Sequence, residues 1–386
     1  MRERPRHIVV STTRTDDGTR AIANALGELL EDATATSTPI AVPLASEPGT
    51  RALPTHSDLD GADVLVALDA VALENARGAN VGLRIAFWSG LGDTWLGSVE
   101  DADAVLVPHA SSVELAIARG AARADVEVVG PLAPEGFARA PDRAAAVAEL
   151  LRGSQGIPAD PRILVIPFGA LPGADLTSTF TQLALVKEPL LVVFDVEDDV
   201  DAAKSIRAIV PRFGLTAALV SDRSYARGIY GVADRVLARL EGPETLAALA
   251  SGASLVVIRP KTREQEAARA LSDEGLVALA GTVPMLAVTL DAALSPESLA
   301  KGREAIAKLS VAETGARIQA AIERALTRHS PHATGLPRGL ELLPRDPVDA
   351  AMPVIAPLLD RAAEKKKADD AAIDRELAEL KKRIGG

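Results

Sequence analysis

Short aliphatic, β-branched runs alternate with longer Ala-, Leu- and Arg-rich stretches along most of the chain, and this alternation restricts the fold more than any single motif. HIVVSTT (7–13), ADVLVAL (62–68), LRIAFWS (83–89), DAVLVP (103–108) and VEVVG (126–130) read as strands. Between them, GTRAIANALGELLEDA (18–33) and SSVELAIARG (111–120) carry apolar residues at helical spacing. Uninterrupted apolar strands suit a parallel sheet covered by helices on both faces, because neither strand face meets water. After a polar stretch at 142–161 the plan repeats. RILVIPFG (162–169), PLLVVFDV (189–196), LTAALVS (215–221), RVLARL (235–240), SLVVIRP (254–260) and GLVALA (275–280) read as strands, with helices over 198–212, 243–251, 262–273 and 296–326. The predicted fold is α/β, with two Rossmann-like doubly wound domains facing each other across a cleft. Their expected bounds are 1–150 and 151–330, followed by a connection and return segment at 331–360 and a charged helical tail at 361–386.

Composition agrees with two cores and narrows the function classes. A chain of 386 residues exceeds one ordinary core. Hydrophobic residues make up 48 % but aromatics only 3 %, so Ala, Val and Leu must fill the interior. The formal charge of -11 opposes a general role in binding nucleic acid, which needs a basic face for phosphates. The absence of cysteine excludes disulfides, thiolate metal sites and a cysteine nucleophile. The start of the chain carries no signal-peptide apolar core, and no stretch reaches the length of a membrane span. A cytoplasmic protein without a transmembrane segment is the expectation. In the tail, Ile373, Leu377, Leu380 and Ile384 step by four, three and four, a short seam for self-association or a protein partner.

Three strings then carry a resemblance. They are IVVSTTRTDDGTRAIANAL at the first strand-loop-helix, DADAVLVPHASSVELAIARGAARADVEVVGPLAPEGF at the end of the first domain, and GVADRVLARLEGPETLAALASGASLVVIRPKTREQEAARAL at 231–271. Over residues 7–330 the chain resembles the GT-B glycosyltransferases, and within them the branch of monogalactosyldiacylglycerol synthase and the lipid II N-acetylglucosaminyltransferase. The resemblance implies a UDP-type sugar donor as substrate, no required cofactor and no metal. It also implies a lipid or other hydroxyl acceptor, with peripheral membrane contact through the loop that Trp88 and Trp95 bracket; packing at the domain edge is the other reading of that loop.

Several positions depart from the pattern the resemblance implies. The first loop of these relatives is Gly-rich and ends in a His at the helix start, so that backbone N–H groups can approach an anion. Here it keeps only Gly18, with Thr19 near the His position, and carries Asp16 and Asp17, which repel phosphate. Either carboxylate could serve as a general base or cap the helix. His109, at the end of a buried strand, is the other catalytic candidate, with a structural hydrogen-bonded role as its alternative. In the second domain Gly169 and Gly173 keep backbone access for a diphosphate, while Pro172 removes a donor.

The opening segment offers Gly242 and Glu244, but Ala247 stands where relatives hold the ribose with a Glu. Arg259, Lys261 and Arg263 form a basic cluster that suits a diphosphate, or else a solvated loop paired with Glu264 and Glu266. Gln265 and Glu266 face the expected hexose position. The acidic turn at Asp195, Glu197, Asp198, Asp199 and Asp201 reads as helix capping, and His329-Ser-Pro-His332 lacks a carboxylate partner for a metal. The implied function is a glycosyltransferase-like protein with eroded donor and catalytic motifs and reduced or absent activity, a pseudoenzyme. An active hexosyltransferase and a non-catalytic scaffold or nucleotide-sugar sensor stay open as alternatives.

Overall fold

The computed structural model describes residues 8–12, 17–33, 42–43, 59, 61–95, 97–132, 134, 137, 142–150, 161–167, 169, 171, 176–196, 199–221, 223–242 and 244–329. The connection and the charged helical tail expected after 330 lie outside them, as do Asp16, Gly173, Glu197, Asp198 and His332.

Two parallel six-stranded sheets organise the chain. The first contains β1 (Ile8–Thr12), β2 (Val42–Pro43), β3 (Val64–Ala67), β4 (Leu83–Phe87), β5 (Ala104–Val107) and β6 (Val126–Val128), in the order β2-β1-β3-β4-β5-β6. The second contains β7 (Arg162–Pro167), β8 (Leu190–Asp195), β9 (Ala217–Val220), β10 (Arg235–Leu237), β11 (Ser254–Ile258) and β12 (Val277–Ala280). Its order, β9-β8-β7-β10-β11-β12, is the Rossmann order, reversing direction between β7 and β10. In the first sheet the reversal falls between β1 and β3. The doubly wound α/β fold read from the strand pattern is therefore present, and its ligand-binding crevices belong at the carboxyl ends of these strand pairs.

The strands are buried as their composition demands: every residue of β1, β3 and β5 is buried. Helices on either face complete the cores. Phe180, Leu183, Ala202, Ile206, Leu286 and Leu290 cover one face of the second sheet. The long helix expected over 296–326 is two helices, Pro296–Lys308 and Thr314–Arg328. Ser310 between them takes a left-handed backbone with φ 48°, which a right-handed helix cannot carry through. Ser295 starts the first of the two by accepting from the Ser298 N–H, with Pro296 at the first helical position.

Helix Thr314–Arg328 returns to the first sheet. Ile318, Ala321, Ile322 and Ala325 lie on one face and join Val10, Val64, Ile85 and Leu106 in a common core. Arg324 and Arg328 both pair with Glu127 on β6. Other residues also cross between the sheets. Leu91, from the loop after β4, belongs to the core under β10 and β11, whereas Leu246 and Ala267 belong to cores of the first sheet. No described helix is long and apolar enough to cross a membrane.

Candidate functional site

At the carboxyl ends of β4 and β5, loops from the first sheet meet the loops that follow β10 and β11. The loop after β4, Trp88 to Trp95, is the centre of this junction. Both tryptophans are fully buried and stack with ring centroids 5.9 Å apart. Trp88 Nε1 donates to the Gly92 carbonyl at 2.6 Å and Trp95 Nε1 donates to the Phe87 carbonyl at 3.3 Å. The rings fix the loop from inside, so the expected acceptor or membrane contact through them is replaced by packing. Burying both indoles with their N–H groups satisfied gives the loop a large apolar anchor.

This loop sits directly on the turn after β10. The Gly92 N–H donates to the Leu240 carbonyl at 2.7 Å. A Cβ at Gly92 would lie 2.8 Å from both Glu241 N and Leu240 C and 2.5 Å from Glu264 Oε1, and one at Gly90 would lie 3.1 Å from Leu240 O. Glycine is required here for close approach of two backbones. Asp93, 3 % exposed, then gathers charge from both sides. Arg119 holds it with two hydrogen bonds, at 3.2 and 2.7 Å, and Arg263 reaches it at 2.6 Å. Its own N–H donates to Glu264 Oε1 at 2.9 Å, while Glu264 Oε2 accepts from the Lys261 N–H at 3.2 Å. Lys261 pairs with Glu241 at 2.7 Å.

The predicted basic cluster is therefore largely committed within the protein. Arg263 and Lys261 neutralise Asp93 and Glu241, not the Glu264 and Glu266 that the sequence suggested. Arg259 is exposed and takes a left-handed φ of 47°, a strain of roughly 1–2 kcal/mol for a residue with a Cβ. Gln265 and Glu266 are exposed at the start of helix Gln265–Glu274. Glu264, which the sequence suggests only as a surface partner for the basic cluster, is the residue of this loop that turns inward, only 1 % exposed.

The Rossmann crevice between β7 and β10 holds Gly169, Arg239, Gly242 and Glu244. The Arg239 guanidinium donates to the Gly169 carbonyl. The Glu244 carboxylate folds back over Gly242 and accepts weakly from the Arg239 N–H at 3.4 Å. Ala247, at the ribose-Glu position, is buried in helix Glu244–Ala250. Burial pushes the Glu244 carboxyl above its ordinary range. Burial also pushes Glu241 up, but its hydrogen bond from Lys261, with further help from the backbone and nearby cations, brings it below the ordinary range.

Glu264 is raised as well, by burial first, with its Asp93 N–H bond only partly offsetting the cost. A carboxyl raised in the folded state contributes its full stability below the unfolded pKa and loses it as pH rises through the folded one. The excess stability of the wild type over Glu264→Gln is thus expected to be largest in acid and to shrink as pH rises above the ordinary carboxylate range, from a gap of roughly 1–2 kcal/mol set by one lost buried hydrogen bond. Urea unfolding of both proteins from acid to neutral pH measures it, and a gap that widens with pH would refute the assignment.

His109 also joins the two sheets. Its Nδ1 accepts from the Ser111 N–H at 3.1 Å, so Nε2 carries the hydrogen directed at Glu274 Oε2, 3.0 Å away. The ring is buried and caps the turn Ala110–Ser112. Both ring nitrogens thus have partners within the protein. At the first sheet's crevice, Asp17 and Gly18 open helix Asp17–Ala33, and Thr19 is buried. Asp69 there accepts from Thr12 Oγ1 at 2.9 Å and caps helix Ala70–Asn75. In the acidic turn after β8, Asp199 caps its helix by accepting from Asp201 and Ala202 N–H groups. Among the described residues no group of three His, Asp or Glu side chains could hold a metal ion.

No family model matches the chain, and no curated protein matches it in sequence. Solved structures match its fold. Sucrose-phosphate synthase from Thermosynechococcus elongatus superposes with a TM-score of 0.60 at 15% identity, over 84% of this chain and 99% of that one. Anabaena HepE, in complex with UDP and glucose, gives 0.57 at 13% identity, over 82% and 99%. A protein assigned as a UDP-N-acetylglucosamine 2-epimerase from Listeria monocytogenes gives 0.55 at 13% identity, over 88% and 100%. At such identities the likeness concerns the fold, and it agrees with the GT-B-like architecture expected from the sequence.

Proposed function

We propose that this chain is a glycosyltransferase-like protein, related to nucleotide-sugar-dependent hexosyltransferases, in which sugar transfer is reduced or absent. The observation that carries the reading is the junction itself. The loops expected to face the donor sugar are closed by the loop after β4, whose Gly92 bonds Leu240 and whose Asp93 engages both Arg263 and Glu264. Glu244 and Glu264 also stand on this side without a cation paired to either among the described residues, which makes it a poor seat for a diphosphate, while Lys261 is taken up by Glu241. Ala247 supplies no partner for a ribose diol; a charge-assisted bond lost there weakens binding by about 1.5–3 kcal/mol, more than tenfold.

A fold by itself hosts many chemistries, so the residues of the site weigh more than the neighbours. The UDP and glucose carried by HepE make uridine nucleotides the first ligands to test. The strings at 101–137 and 231–271 support a nearer relation to the monogalactosyldiacylglycerol synthase and lipid II transferase branch. Calorimetric titration with UDP, GDP and their sugar conjugates is expected to give no saturable binding in the micromolar range and no released sugar. Micromolar binding with turnover would overturn the reading in favour of an active transferase. Micromolar binding without turnover would favour a sensor.

A further inference from the structure

The opposite, amino-terminal edge of the second sheet carries a separate feature. A surface pocket lies where β10 and β11 begin, lined by Arg143, Asp234, Ser251, Ser254, Leu299 and Arg303 among others. The five residues of β11 separate it from the loops after the strands by roughly 15 Å at about 3.3 Å per residue. It is thus remote from the junction described above.

Its charges do not cancel. Asp234 is already held by Arg143 at 2.6 Å and accepts from the Ile163 N–H at 2.9 Å. Arg303 is exposed and makes no hydrogen bond or salt bridge among the described residues. Behind the lining lies Arg235, whose hydrogen bonds go to uncharged oxygens: the carbonyls of Ala293 and Ser298 and the hydroxyls of Ser254 and Ser298. The pocket therefore has surplus positive charge with arginine as its source. Ser251 gives a second, independent sign. It is 2 % exposed, lines the pocket, and its Oγ has no hydrogen-bond partner. The hydroxyls of Thr94, Thr179 and Thr314 are buried in the same way, but Ser251 alone of these lines the pocket, where a ligand that accepts its hydrogen would satisfy it.

We infer that this pocket binds a small tetrahedral oxyanion of the phosphate class, with Arg303 as its main cation, Arg143 beside it, and the Ser251 hydroxyl as a donor. Guanidinium groups match phosphate oxygens in pairs, and a single buried hydroxyl adds direction to the charge. The small residue Gly302 lets helix Pro296–Lys308 bring Arg303 to the edge: a Cβ there would lie 2.5 Å from Ser254 Oγ.

Titration with inorganic phosphate at constant ionic strength tests the site, read by calorimetry and by the unfolding midpoint. Saturable binding is expected, with chloride giving none. Arg303→Gln, an exposed change, should weaken phosphate about tenfold or more, the loss of one charge-assisted contact. Ser251→Ala removes an unpartnered hydroxyl, so the protein's stability without phosphate should hold or rise while its phosphate affinity falls several-fold. Competition by glucose 1-phosphate would assign the site to a phosphate ester, and its failure to compete would assign it to the free ion. Absence of saturable binding, or equal binding by wild type and Arg303→Gln, would overturn the inference. Neither result bears on the uridine nucleotide titration, because the two sites share no residue.

Discussion

Arg235→Ala is expected to lower unfolding free energy by about 3–5 kcal/mol, on the scale of leaving buried polar partners and a large cavity behind. The side chain is only 1 % exposed at the start of β10, and burial depresses its pKa to about 10. Its hydrogen bonds hold four groups in place: Ala293 O, Ser298 O, Ser298 Oγ and Ser254 Oγ. These tie the end of helix Leu286–Ala293 and the start of helix Pro296–Lys308 to the edge of β11. Alanine leaves those oxygens unpaired and a void of guanidinium size. Arg235→Met fills most of the void without restoring any bond, so it should recover about 1–2 kcal/mol of the loss. Lysine, with one ammonium on a flexible stem, cannot reach the same acceptors at once. Chemical denaturation of the three variants measures the series. A loss below about 1 kcal/mol for alanine would mean that helix Pro296–Lys308 does not depend on this contact, since surface-like substitutions fall in that range.

How far these contacts could be read from the chain depends on their range. The strands of the second sheet were legible because RILVIP, LLVVFD and SLVVI are continuous apolar runs, a local consequence of being covered on both faces. The break at Ser310 was not, because nothing about a serine announces a left-handed backbone. The candidate site divides in the same way. Its residue types and loops were visible in Arg259, Lys261 and Arg263, but the direction each side chain takes was not. Asp93 and Glu264 lie 171 positions apart and meet only because β4 and β11 end at the same junction. No periodicity couples them, and the sequence offered Gln265 and Glu266 as the inward pair although the short turn Thr262–Glu264 aims Glu264 inward instead. The Trp88-to-Trp95 loop shows the same limit: aromatic residues around glycines signal a special loop, yet whether it packs or projects is decided by what stands opposite.

Gly92→Val separates the two ways in which the donor side can be inactive, and it should have a large effect of its own. A Cβ at this position meets backbone atoms of Leu240 and Glu241 at 2.8 Å, and backbone cannot yield as the end of a side chain can. Valine adds two methyl groups to that conflict, an overpacking cost of about 3 kcal/mol. The strain is relieved by parting the loop from the turn after β10, which breaks the Gly92-to-Leu240 hydrogen bond and loosens Asp93 from Arg263 and Glu264. Amide exchange should therefore quicken around residues 92–93 and 264. Fluorescence should shift toward the red as Trp88 and Trp95, the only two tryptophans, lose enclosure. Unchanged exchange and emission would refute the close approach on which the proposed function rests. Once the loop has parted, uridine nucleotides discriminate further. If substitution at Ala247 and the carboxylates of Glu241 and Glu244 has removed the donor site, the opened variant binds UDP no better than wild type. If the loop alone blocks an intact site, affinity appears with the mutation, and the loop after β4 acts as a plug on a transferase that kept its chemistry.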